Sequence, residues 1–192
     1  PGGSMRKFLK WIGISLATVV GAVLVLIAVL VFLGGRKLAA IRSVAVEPVA
    51  VPGDPAAVER GGHLVRTRCV FCHGDDLAGK KFIDDPSFMV LDAPNLTRGA
   101  GGVGGSYVDD AAWVRAIRHG VNPHGRALII MPAEVYYFLS DGDLGDLIAY
   151  LKSVPPVDRS WAAPRPALVA KALFGAGKLD NMLAYLTTDH QA

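Results

Sequence analysis

A chain of 192 residues has room for a membrane segment and one ordinary domain, and little else. Its formal charge of +3 is misleading, because six of the 20 basic residues are Arg6, Lys7, Lys10, Arg36, Lys37 and Arg42; from Ser43 onward 14 basic residues face 17 acidic ones, and nucleic-acid binding, which needs a basic stripe, is excluded. The two cysteines, if used together, leave no thiol for a structural disulfide, a zinc cage or an iron–sulfur cluster.

Residues 1–4 precede a start-like Met5 and read as a cloning remnant. The run from Trp11 to Leu33 carries no charge, and 23 helical residues rise about 35 Å, enough for a hydrocarbon core of about 30 Å. A retained membrane anchor over residues 5–37 is therefore predicted. A cleavable signal peptide has a shorter apolar region, about 7–15 residues, and ends at a small-x-small site. Here Gly34-Gly35-Arg36-Lys37 reads as a stop, with Phe8 and Trp11 as interfacial anchors. Three basic residues on each side leave the orientation tied. Residues 38–53, rich in Val, Ala and Pro, are expected to form an extended tether.

Asp54 can cap a helix whose first position is Pro55, running through Val58 and Leu64 towards Cys69. Gly61 and Gly62 each cost about 1 kcal/mol within it, so either a second helix crosses closely there or the helix breaks. Then comes Cys69-Val70-Phe71-Cys72-His73. C-x-x-C-H is the spacing at which two thiols attach one c-type haem and the adjacent imidazole ligates its iron. A thioredoxin-like dithiol or half of a zinc site is the rival reading.

Residues 75–106 read as loop, punctuated by Asp84-Asp85-Pro86 and Ala93-Pro94-Asn95, with Gly99 to Gly105 as a flexible linker. Ser106 or Asp109 can open a helix bearing Trp113, Ala116 and Ile117 and stopping at Gly120. A short helical piece is expected from Ala133 to Leu139. Ser140 with Asp143 has a capping-box pattern, followed by Leu144, Leu147, Ile148 and Leu151 at helical spacing, ended by Pro155-Pro156. From Asp158 the tail reads as a wrapping extension with short helices near 168–174 and 183–186.

The sixth ligand position has four candidates. Met131 precedes a proline, which biases it to an extended backbone and stiffens the loop that presents its thioether. Met89 lies in an apolar run suited to packing, His119 sits at a helix C-terminus and His124 on a turn. His63 reads as surface or packing on the first helix, and His190 lies in the tail. Trp113 and Arg126 can donate to haem propionates, or can equally be helix core and solvated surface.

The order of glycine-bearing helix, C-x-x-C-H, proline loop, tryptophan helix, Met-Pro and a final helix carrying Tyr150-Leu151 resembles a class I c-type cytochrome across residues 54–157. Ala93-Pro94-Asn95-Leu96-Thr97 and Met131-Pro132 with Leu139-Ser140-Asp141 are similar to the cytochrome domains serving membrane-bound alcohol and aldehyde dehydrogenases. The tail resembles the linker between haem domains of multi-haem relatives, but no second C-x-x-C-H follows it. The resemblance implies an all-α fold: an N-terminal transmembrane helix plus a cytochrome c-like domain of three to five helices around one haem c, with an extension over 158–192. It further implies covalent attachment through Cys69 and Cys72, His73 and Met131 as iron ligands, and the Pro94 carbonyl as partner of the His73 ring. Tyr150 is expected to pass over Gly61 or Gly62. Haem attachment outside the cytoplasm implies a single-pass protein of the bacterial cytoplasmic membrane, with N-terminus inside and haem domain on the periplasmic side. The expected function is single-electron transfer between respiratory or photosynthetic partners, not catalysis. The rivals are a haem sensor or peroxidase-like enzyme with an open distal site, and a redox-silent subunit of a larger complex.

Overall fold

The computed structural model describes residues 2–190, so Pro1 of the leading tetrapeptide and Gln191 and Ala192 of the extension lie outside the described residues. Helix α1 (Gly2–Ala39) contains the whole apolar run and is long and apolar enough to cross a membrane. It runs through Gly34-Gly35 without a break and ends two residues beyond Lys37. Gly34 is instead where α7 (Leu168–Gly175) crosses: a Cβ on Gly34 would overlap the Lys171 carbonyl, and one on Gly175 would overlap that of Leu30. Two backbones touch there because neither residue has a side chain. Lys37 seals the crossing with an ion pair to Asp180 at 2.7 Å.

The segment expected as an extended tether lies against the domain. Residues 40–54 have little regular structure, but Val49 is buried and Val46 and Val51 pack against the domain core. Arg42 N–H donates to Gly125 O at 2.7 Å, and Ile41 forms an isolated bridge with Arg126. Its valines bury more apolar area against the domain than they would free in water, which favours packing over swinging.

The domain is organised on α2 (Pro55–Arg68) and α6 (Asp141–Ser153). Asp54 caps α2 by accepting from Ala57 N–H at 2.9 Å, and Ser140 caps α6 by accepting from Asp143 N–H at 3.1 Å, as the sequence leads one to expect. The helices cross at Gly61 and Gly62 without a break. A Cβ on Gly61 would overlap the Asp146 carbonyl, and one on Gly62 would press on the Tyr150 ring. Buried Asp146 is paired with Arg60 across the same crossing. Helix α4 (Asp110–His119), capped by Asp109 and stopped by Gly120 at φ +64°, adds Trp113, Val114 and Ile117 to the core beside Leu144, Leu147, Ile148 and Leu151.

Where loop was expected, strands β1 (Lys80–Asp85) and β2 (Met89–Ala93) form an antiparallel hairpin with a bulge between Lys81 and Ile83, and β3 (Arg165–Pro166) pairs with β2. Asp84 and Asp85 end β1 in register with Val90 and Met89, and Pro86 opens the hairpin's turn over residues 86–88. The glycine stretch is not a linker either: a Cβ on Gly99 would overlap the Val157 backbone, and Gly104 sits against the Leu96 and Thr97 carbonyls. The fold is nonetheless mostly helical, an N-terminal apolar helix followed by a cytochrome c-like domain.

The extension ends in α8 (Ala184–Thr187) beside α5 (Ala133–Tyr136). His119 is buried there, with its Nδ1 3.1 Å from Nδ1 of His190 and its ring edge-on to Tyr137. Burial, then the neighbouring His190, Arg118 and Arg115, push its pKa down to about 4.

Two outcomes are expected. Gly61→Val must part α2 from α6 and lowers unfolding free energy by about 3 kcal/mol, the upper end of overpacking costs, read as a shifted denaturation midpoint. The folded protein keeps His119 neutral while the unfolded chain binds a proton below about 6.5, so stability falls as pH drops from 6.5 towards 4, by at most about 1.4 kcal/mol per pH unit. Thermal midpoints measured from pH 7 to 5 show that slope, and His119→Gln flattens it.

Candidate functional site

Cys69 closes α2, its N–H donating to Val65 O at 2.8 Å, and opens the one-turn helix α3 (Val70–His73). The N–H groups of Cys72 and His73 both donate to the Cys69 carbonyl, at 3.1 and 2.9 Å. One turn therefore carries two thiols and an imidazole. Cys69 is buried and Cys72 half-buried, and both are free. Burial, then the nearby Cys72, push the Cys69 thiol up to about 11, and burial raises Cys72 as well, so both remain thiols at neutral pH.

The His73 ring is buried, and its Nδ1 lies 2.9 Å from Pro94 O. Since a carbonyl can only accept, Nδ1 carries the hydrogen and the Nε2 lone pair is left for a metal. Burial lowers the His73 pKa, against the opposing effect of the Pro94 carbonyl, and keeps the imidazole neutral.

The Pro94 carbonyl is itself held. Asn95, fully buried, donates through Nδ2 to Val157 O at 2.7 Å and Arg159 O at 3.0 Å, and its Oδ1 accepts from Thr97 N–H at 2.8 Å. Thr97 Oγ1 accepts from Val157 N–H at 3.0 Å. From the other side, Gly79 N–H donates to His73 O at 2.8 Å and Leu96 N–H to Leu77 O at 2.8 Å. Trp161 closes the loop by donating from Nε1 to Ala78 O at 2.7 Å. The sequence reading assigned no role to Asn95, Thr97 or Trp161; buried amide and hydroxyl groups in a proline loop were the available signal.

Met131, half-buried, packs against the apolar cluster that contains Cys69, Val65, Leu77 and Trp113. Trp113 lies edge-to-face with Tyr107 at 4.7 Å. Tyr136 belongs to the same cluster and donates its hydroxyl to Arg68 O at 2.9 Å. Burial, then the nearby cysteines, push the Tyr136 pKa up to about 12. Cys69, Trp113 and Met131 are thus brought together, with His73 one turn on from Cys69. Arg126 is not in that cluster: it is exposed in the turn that bridges to Ile41. Met89 is fully buried between its partners Asp85 and Pro166, outside the cluster. His119 is engaged by His190, while His63 and His124 are exposed.

This donor set fits a c-type haem: two reduced thiols two residues apart, an imidazole with one nitrogen committed, and a thioether in the adjoining apolar cluster. It does not suit zinc, since among the described residues no three His, Cys, Asp or Glu side chains are grouped to hold a metal ion.

Residues 56–151, half of the chain, match the family model described as cytochrome C oxidase, cbb3-type, subunit III. The chain is also similar to the fructose dehydrogenase cytochrome subunit of Gluconobacter japonicus, 29% identical over 134 residues that cover 66% of this chain and 26% of that protein. It spans about a quarter of that relative's length. The matched region begins with α2, includes the C-x-x-C-H turn and ends within α6, so family and site coincide. The chain belongs to the cytochrome C oxidase, cbb3-type, subunit III family, and its folded part is a haem-binding c-type cytochrome domain, an electron carrier rather than an enzyme.

Proposed function

We propose that this chain is a membrane-anchored mono-haem cytochrome, its haem fastened by Cys69 and Cys72 and its iron ligated by His73 and Met131. The observation that carries the reading is the 2.9 Å contact of His73 Nδ1 with Pro94 O, one turn after Cys69, which commits one ring nitrogen and frees the other. When bound, the haem supplies a one-electron ferric–ferrous couple, whose potential a thioether ligand raises.

The chain's own residues account for the rest. The Asn95–Thr97 hydrogen bonds hold the Pro94 carbonyl, and through it the plane of the imidazole. Leu77, Trp113, Ile117 and Tyr136 form an apolar wall that excludes water and lowers the local dielectric, which tunes the potential. Trp113 is the candidate donor to a propionate, its indole lying beside Tyr107 at the edge of the cluster. The domain boundaries are an anchor over residues 5–37, a haem domain over 54–157 and an extension from 158. The N-terminus lies in the cytoplasm and the haem domain on the periplasmic face, because c-type attachment takes place outside the cytoplasm. As partner we propose a dehydrogenase that delivers single electrons, by analogy with the relative whose name makes it a dehydrogenase's cytochrome subunit. Co-elution of a dehydrogenase from detergent-solubilised membranes supports that partner, and elution alone or with an oxidase removes it.

Mass spectrometry of protein made with working attachment machinery is expected to show the polypeptide plus one haem, and Cys69→Ser with Cys72→Ser the bare chain without a stable domain. Met131→Ala is expected to keep the haem attached and to lower the potential by on the order of 100 mV, within the ~0.8 V that axial ligands span. It also lets the ferrous protein bind carbon monoxide. An unchanged potential measured by redox titration removes Met131 from the ligand set.

A further inference from the structure

The residue before Met131 is in a conformation it does not choose. Ile130 has φ +66°, the left-handed region that a β-branched side chain almost never occupies without external constraint. That constraint comes from the extension. Ile130 N–H donates to Met182 O at 2.7 Å, Ala184 N–H donates to Leu128 O at 2.9 Å, and Ile129 and Leu183 form an antiparallel bridge between these two bonds.

The same piece of extension grips both flanks of the methionine. Before it, Leu128 N–H is also tied to Gly120 O at 2.8 Å, and Gly120 lies so close to Ala184 that a Cβ there would overlap it. After it, Glu134 Oε2 accepts from Thr187 Oγ1 at 3.0 Å. Leu183 and Ala184 are 1% and 2% exposed, so the part of the extension that meets Leu128 to Ile130 lies inside the folded body rather than on its surface.

We infer that residues 182–187 act as a positioning strap that holds Ile130 in its left-handed conformation and thereby aims the Met131 thioether at the iron. The inference rests on the proposed His73/Met131 ligation and adds a positioning role for Met182, Leu183 and Ala184, none of which touches the metal. A strap of this kind sets how often the thioether leaves the iron, separately from how the haem is attached.

The test uses full-length haem-loaded protein in detergent. Ala184→Pro removes the N–H given to Leu128, at the first position of a helix, where proline is tolerated. Leu183→Ala trims the buried side chain that seats the strap, which loosens the backbone bonds on either side of it without removing a donor, and it decides the matter if the proline variant does not fold. In either variant the ferric sulfur-to-iron absorption band is expected to weaken. Carbon monoxide binding by the ferrous form is expected to speed up by roughly ten- to hundredfold, the factor matched by release of one left-handed β-branched residue. Haem attachment, read by mass, stays complete. Adding Ile130→Gly to Ala184→Pro restores part of the band, because glycine adopts φ near +66° unaided. A band and a binding rate unchanged from wild type overturn the strap while leaving Met131 as ligand. A wild-type protein with no such band overturns the ligation, and the strap with it.

Discussion

The hydrogen bond between the His73 ring and the Pro94 carbonyl joins segments 21 residues apart, and the site depends on it. An imidazole free to rotate offers either nitrogen in any direction; one held through Nδ1 offers Nε2 in one direction only. The bond also has a supporting layer. Asn95 and Thr97 tie the loop to Val157 and Arg159 just beyond α6, so the segment that follows the last core helix fixes the carbonyl that fixes the His73 ring. Each of those buried polar groups has a partner, and in an apolar interior removing one leaves its counterpart desolvated and unpaired.

The α2–α6 crossing supplies the rigidity behind this arrangement. Two adjacent glycines let the Asp146 carbonyl and the Tyr150 ring lie directly on α2, and the turn bearing both cysteines and His73 continues from the end of that helix. The helix penalty of two glycines, about 1 kcal/mol each, is offset by the apolar area that close approach buries between α2, α4 and α6.

Much of this could be read from the sequence where the physics is local. The caps at Asp54, Asp109 and Ser140, the stop at Gly120 and the one-turn helix of the C-x-x-C-H segment each depend on a few neighbouring residues. The meeting of Tyr150 with the glycine pair was legible because glycines inside a helix require an external reason. The errors lie where distant segments decide the outcome. Lys80–Asp85 and Met89–Ala93 lack clean alternation and are interrupted by a bulge, so their pairing shows only in the fold. Gly34 and Gly99 have the composition of stop and linker, yet they mark where Lys171 and Val157 lie against the chain. Val46, Val49 and Val51 carry too little pattern to announce that they pack on the core. His119 looked like a helix-end histidine because its partner, His190, is 71 residues away.

The path of the extension ties two regions that the chain order keeps apart. It grips α1 at Gly34 and Lys37, then within a few residues reaches Ile130 through the Met182 carbonyl. A soluble fragment starting after residue 40 keeps every side chain of the candidate haem site but deprives α7 and Asp180 of their footing. Spectra and potentials recorded on so shortened a version therefore describe a looser molecule than the intact one, and the hydrophobic anchor belongs in any sample meant to report native electrochemistry.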